Sequence, residues 1–179
     1  MMTKKLAIAT VILVLVLLCG TAAAYMIKRT SLEENQFTPA NVDCEVAETF
    51  DGTSKSSILV DNTGNVDAYL RVRLVTYWVD KNGEIQPKPS AMMNITPAAN
   101  WIKGENNTYY YAIPVTPEAE PVELLGADLT LAEADGCYQV VEVFAEAIQA
   151  EGATDVGEVP AVTNAWGITV NADGTLSVS

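Results

Sequence analysis

The chain has 179 residues, of which 23 are Asp or Glu and 10 are Lys or Arg, so its formal charge is −13, and it contains no histidine. Such a surface repels nucleic acid and anionic lipid headgroups. The missing imidazole removes the commonest general base and transition-metal ligand, which excludes Ser-His-Asp triads and H-E-x-x-H zinc sites.

At the N-terminus Lys4 and Lys5 precede an apolar run from Leu6 to Leu18, and Gly20, Thr21, Ala22, Ala23 and Ala24 follow. A positive region, an apolar region and a small-residue zone in that order predict an export signal. Ala22 and Ala24 occupy the small-residue places of an A-x-A site, so the expected scissile bond joins Ala24 to Tyr25, with Ala23 to Ala24 as second choice. The alternative is an uncleaved anchor, because Leu6 to Tyr25 is about long enough to cross a hydrocarbon core. Cys19 follows Leu18 rather than a small residue, which does not suit lipidation. Cleavage would remove Lys4 and Lys5 and take the formal charge from −13 to −15. The chain therefore divides into a signal or anchor (1–24), a short extension (25–36) and one domain (37–179). A composition that is 49% hydrophobic makes the acid a solvating surface, not a mark of disorder.

Within the domain, Ser57 to Val60 is a short apolar run, and Val66 to Val79 alternates Val66, Ala68, Leu70, Val72 and Leu74 with Asp67, Tyr69, Arg71 and Arg73. Period two with one apolar face predicts a half-buried antiparallel strand. The turn-rich stretch Asp61 to Asn65 between the two predicts a hairpin. Asp80 to Glu84 is a second turn around Asn82-Gly83, and Gln86 to Pro97 reads as a proline-bearing loop. Asn100 to Lys103 and Thr108 to Ile113 flank Gly104 to Asn107 as another hairpin. Pro114, Pro117 and Pro121 exclude a helix before the short runs Val122 to Leu125 and Ala127 to Leu131. Cys137 to Ala150 reads as a strand through Val141, Val143, Ala145 and Ala147, with helix as its rival because Val141, Ala145 and Ile148 also share a helical stripe. A short helix is expected over Val159 to Trp166, then a closing hairpin of Ile168 to Val170 and Leu176 to Val178 around Asn171 to Gly174. Many short strands separated by frequent turns predict an all-β antiparallel sandwich with at most one short helix.

Cys44 and Cys137 form an even pair in an exported domain, so one disulfide is expected between them; two buried thiols are the alternative. Asp61 to Asp67 is rich in oxygen ligands, yet its glycine and the end of the loop do not match a calcium hand, and it reads as a plain turn. Tyr109 to Tyr111 with Trp78, Trp101 and Trp166 read as core aromatics ahead of a sugar platform. The sequons at Asn94 and Asn106 matter only in a eukaryotic secretory host. No catalytic, metal or cofactor site is expected, and no enzymatic activity.

Three stretches, Gly20 to Tyr25, Phe37-Thr38-Pro39 and Ile58 to Val72, together with Ala165-Trp166-Gly167, resemble the TasA and camelysin group of secreted proteins. The resemblance implies a jelly-roll-like sandwich, processing by a dedicated signal peptidase, and assembly into fibres of a biofilm matrix or a surface layer. Tyr25-Met26-Ile27-Lys28 departs from the aromatic-polar-acid ending of such signals. Camelysins have also been classed as metallopeptidases, a role that a chain without histidine does not support. The expected function is thus a secreted, fibre-forming structural protein that associates with itself through the segment from Tyr25 to Phe37, acting as a donor strand. The alternative is a monomeric cell-surface binding domain tethered through residues 1–24. Signal peptidase is the partner expected during export, nucleic acid is none, and membrane contact is confined to an uncleaved 1–24.

Overall fold

A computed structural model of the chain describes residues 39–89, 93, 95–150 and 159–178. The signal, its cleavage point at Ala24 and Tyr25, the 25–36 extension and Asn94 lie outside the described residues.

The longest period-two pattern in the sequence becomes the centre of the fold. Strand β3 (Ala68–Asp80) buries Ala68, Leu70, Val72, Leu74 and Trp78 on one face, and leaves Arg73 and Val75 on the other. Strand β10 (Cys137–Gln149) pairs with it antiparallel along its entire length, from Cys137↔Asp80 to Gln149↔Ala68. That ladder decides the helix-or-strand question for 137–150: a strand here satisfies its backbone against β3, and Val141 and its alternates reach the core.

Around this pair a six-stranded sheet runs β5 (Trp101–Lys103), β6 (Thr108–Tyr111), β3, β10 and β9 (Glu133–Ala134), with β4 (Ile85–Gln86) on the far end of β3. The expected turns at Asn82-Gly83 and Gly104 to Asn107 close the β3–β4 and β5–β6 hairpins. A second sheet has the order β1 (Glu45–Phe50), β2 (Ser54–Asp61), β7 (Val122–Glu123), with β8 (Leu129–Thr130) also on β2. Every pairing is antiparallel. The main core lies between the sheets: Ile58 and Val60 from one meet Leu70, Val72, Leu74, Tyr109 and Val141 from the other. The fold is an all-β antiparallel sandwich. The compact unit built from these elements spans Ala40–Ser179.

One expected hairpin is not formed. β2 pairs with β1 on one edge and with β7 and β8 on the other, so no edge is left for β3, and the Asp61–Asp67 stretch instead carries the chain from one sheet to the other. Asn62 fixes that crossing. Its buried side chain donates to the carbonyls of Val66 (2.9 Å) and Val115 (2.7 Å) and accepts the Gly64 N–H (3.1 Å). Gly64 is required by close approach, since a Cβ there would lie 2.4 Å from the Asn41 carbonyl oxygen. Composition marks the turn, but only the competition for strand edges decides where it leads.

On the outer face of the large sheet a smaller core gathers Tyr69, Val162, Ile168 and Leu176. It is built by a helix, α1 (Ala161–Trp166), and a ribbon of β11 (Thr169–Val170) and β12 (Leu176–Ser177). Gly167 ends the helix in the left-handed region (φ 68°), with its N–H on the Thr163 carbonyl. The Tyr69 hydroxyl donates to the Gly174 carbonyl at 2.7 Å and ties the ribbon to β3.

Candidate functional site

Cys44 and Cys137 are free thiols, which corrects the disulfide expected between them. Cys44 precedes β1 and lies within electrostatic reach of Glu146, whereas Cys137 opens β10. Positions 137 and 146 are separated by nine strand residues, a span of about 30 Å at 3.3 Å per residue, and a disulfide needs Cα atoms within about 7 Å. Burial pushes the Cys44 thiol pKa up, and the neighbouring Asp43 and Glu146 push it further. Its thiolate is thereby disfavoured.

Two side chains of the Asp61–Asp67 turn are spent on structure. Asn62 uses both ends of its amide, and the Asn65 side-chain oxygen accepts the Asn41 N–H at 2.7 Å. Among the described residues no group of three or more acidic or cysteine side chains is placed to hold a metal ion. The aromatics divide. Trp101 is buried, donates to the Glu123 carbonyl at 2.8 Å and meets Tyr111 edge-on at 5.2 Å; Trp78 is buried and donates to the Pro89 carbonyl at 3.0 Å. Tyr109 is wholly enclosed. Trp166 and Tyr110 instead line a surface cleft beside α1.

The feature that sequence patterns do not reveal is a seam between the two sheets. β3 covers one edge of β10 completely, but β9 covers the other only at Cys137 and Tyr138. Among the described residues the edge from Val140 to Gln149 pairs with no strand, and β1 is bonded only to β2. These two unpaired edges approach each other beside a half-covered part of the core: Cys44 and Val46 from one side, Val143, Ala145 and Ala147 from the other, all half-buried. At its far end β1 is blunted. The pairing shifts register between Thr49 and Phe50, and Lys55 turns inward to an ion pair with Glu48, beneath the Phe50 ring. Bulges and inward charges are common means of protecting an edge. The opposite end of the seam, around Cys44, Val46 and Ala147, lacks such a device among the described residues.

No family of proteins, no curated protein and no solved structure matches this chain.

Proposed function

We propose that the chain is an exported, non-catalytic structural subunit, which joins copies of itself into an extracellular fibre or surface layer by laying residues 25–37 of one molecule into the β1–β10 seam of the next. The observation that carries this reading is the coincidence of two strand edges that pair with no further strand among the described residues, beside a half-covered core. An added strand finds main-chain hydrogen-bond partners there and buries alternate apolar side chains, each worth about 1.5–3 kcal/mol when fully covered. The segment has the complementary chemistry. Tyr25, Ile27, Leu32 and Phe37 are apolar, and Lys28 and Arg29 carry charge opposite to Glu45 and Glu142 on the seam strands. A head-to-tail contact of this kind need not close and so propagates.

Electron microscopy of the exported chain with and without residues 25–34 tests the reading. The deletion should keep a β-type circular dichroism spectrum and form no fibres; fibres from the deleted chain would place the joint elsewhere. The cleft beside α1 favours a second reading, a tethered monomeric surface domain that binds a ligand. N-terminal sequencing separates the two, because a fibre subunit begins at Tyr25 or Ala24 and a tethered domain keeps Met1 or Met2.

A further inference from the structure

Independently of self-association, we infer that the cleft between the β5–β6 turn and the C-terminal cap binds a neutral saccharide. The cleft, open to solvent on one side, has a volume of about 370 Å³, at the small end of the roughly 300–1,000 Å³ typical of ligand pockets. Gly104, Glu105, Asn106 and Tyr110 line one side, Trp166 and Val178 the other.

The aromatic part is held in place before any ligand arrives. The Arg71 guanidinium sits 4.8 Å from the centroid of the Trp166 ring, and Tyr110 meets the same indole at 5.8 Å, tilted by 47°. Arg71 is itself ion-paired to Glu146 across β3 and β10, so its charge is matched locally. Gly104 passes so close to Tyr110 that a Cβ would lie 2.7 Å from the ring atom Cε2; the absence of a side chain there lets the phenol occupy the cleft wall. With Arg71 over one face of the Trp166 ring, the rest of the rigid Trp–Tyr pair offers a contact for the C–H groups of a sugar ring, made with little loss of side-chain entropy.

The rim supplies the hydrogen bonds. Glu105 and Asn106 stand exposed at the turn, which is closed by the Gly104 N–H on the Thr108 carbonyl (2.8 Å) and the Thr108 N–H on the Glu105 carbonyl (3.0 Å). A carboxylate and a primary amide together accept from and donate to vicinal hydroxyls. Glu105 is the charged residue among those lining the cleft, and the chain carries −13 overall, so an anionic ligand is disfavoured. The combination selects a neutral, hydroxyl-rich ring.

The test uses the full-length chain in detergent, labelled with 5-fluorotryptophan at its three tryptophans, Trp78, Trp101 and Trp166. Fluorine NMR is recorded while cellotriose, chitotriose, maltotriose or trigalacturonate is added, and Trp166→Phe assigns its signal. At least one neutral trisaccharide should shift the Trp166 resonance saturably, with a Kd of about 1 mM or tighter, and leave the buried Trp78 and Trp101 signals in place. Glu105→Ala, an exposed turn substitution, should weaken that binding about fivefold or more. Three results would overturn the assignment: no saturable shift from any neutral sugar, tighter binding of trigalacturonate, or unchanged affinity in Glu105→Ala.

Discussion

The side-chain amide of Asn62 donates to the backbone carbonyl of Val115, 53 residues further along, at 2.7 Å. This bond joins the crossover between the sheets to the strand-like stretch that pairs Val115 with Ala68 at the start of β3. Asn62 is buried, and it also serves the Val66 carbonyl and the Gly64 N–H, whereas the Val115 carbonyl accepts the Ala68 N–H (3.0 Å) as well. Asn62→Ala should therefore cost about 1–3 kcal/mol, the loss expected when the Val66 and Gly64 backbone groups lose their side-chain partner. The neighbouring exposed Thr63→Ala should stay within about 0.5 kcal/mol. Urea denaturation of the two variants checks the contrast.

What the sequence discloses of this fold follows from how local each signal is. β10, whose Val141, Ala145 and Ile148 also fit a helical stripe, is settled by its ladder to β3, whereas β3 is legible because the alternation from Val66 to Leu74 is a property of that strand alone. The cap is legible in the same way, through Val162, Trp166 and the Asn171–Gly174 turn. β1 shows no alternation, because an edge strand exposed on most of its surface has little to alternate between. The β9–β10 turn also carries a local signal: Asp135-Gly136, both at positive φ, is a dipeptide that suits a two-residue hairpin. The seam and the distance between Cys44 and Cys137 depend on which strands become neighbours, which no local pattern encodes.

Thiol titration of the unfolded, unreduced chain should find both Cys44 and Cys137 reactive. The strand geometry keeps them too far apart to bridge, and both are free. A chain without reactive thiols would mean that the strands carrying them are differently arranged.

The Tyr109 hydroxyl is enclosed in the core and has no hydrogen-bond partner among the described residues. Phenylalanine keeps the ring and removes the unpaired group. Tyr109→Phe should thus leave stability unchanged or raise it by up to about 1–3 kcal/mol, measured as a shift of the denaturation midpoint. A loss beyond about 1 kcal/mol would show that the hydroxyl is satisfied after all.

Acid should weaken the fold through two exposed turns. Asp51 accepts the N–H groups of Ser54 (2.7 Å) and Thr53 (2.8 Å) and the Thr53 hydroxyl (2.9 Å), which lowers its pKa from 3.8 to about 2. Asp173 is lowered by the Thr175 hydroxyl (2.7 Å) and N–H (3.0 Å). A carboxyl whose folded pKa is depressed adds stability that is complete above its unfolded value and disappears as the pH falls through the folded one. The contribution of Asp51 should hold above about pH 4 and be gone by about pH 2. The melting temperatures of the parent and of Asp51→Asn should accordingly converge across that window; a constant gap would contradict it.

Cys44 is a built-in reporter for the proposed joint. It is half-buried at the seam beside Val46, whereas Cys137 is buried at the other end of β10. Its raised pKa slows alkylation near neutral pH, so labelling is best done at about pH 9, where more thiolate is present. In the chain lacking residues 25–34, Cys44 should react faster than Cys137. If a strand from a neighbouring molecule fills the seam, fibres of the complete exported chain should protect Cys44 about tenfold or more, the effect of about 1.4 kcal/mol of local closure. Cys137 should react at the same rate in fibre and monomer, because β9 and β3 already flank it in the isolated domain. Fibres in which Cys44 labels as quickly as in the deleted monomer would show that the seam is empty and that the subunits join elsewhere.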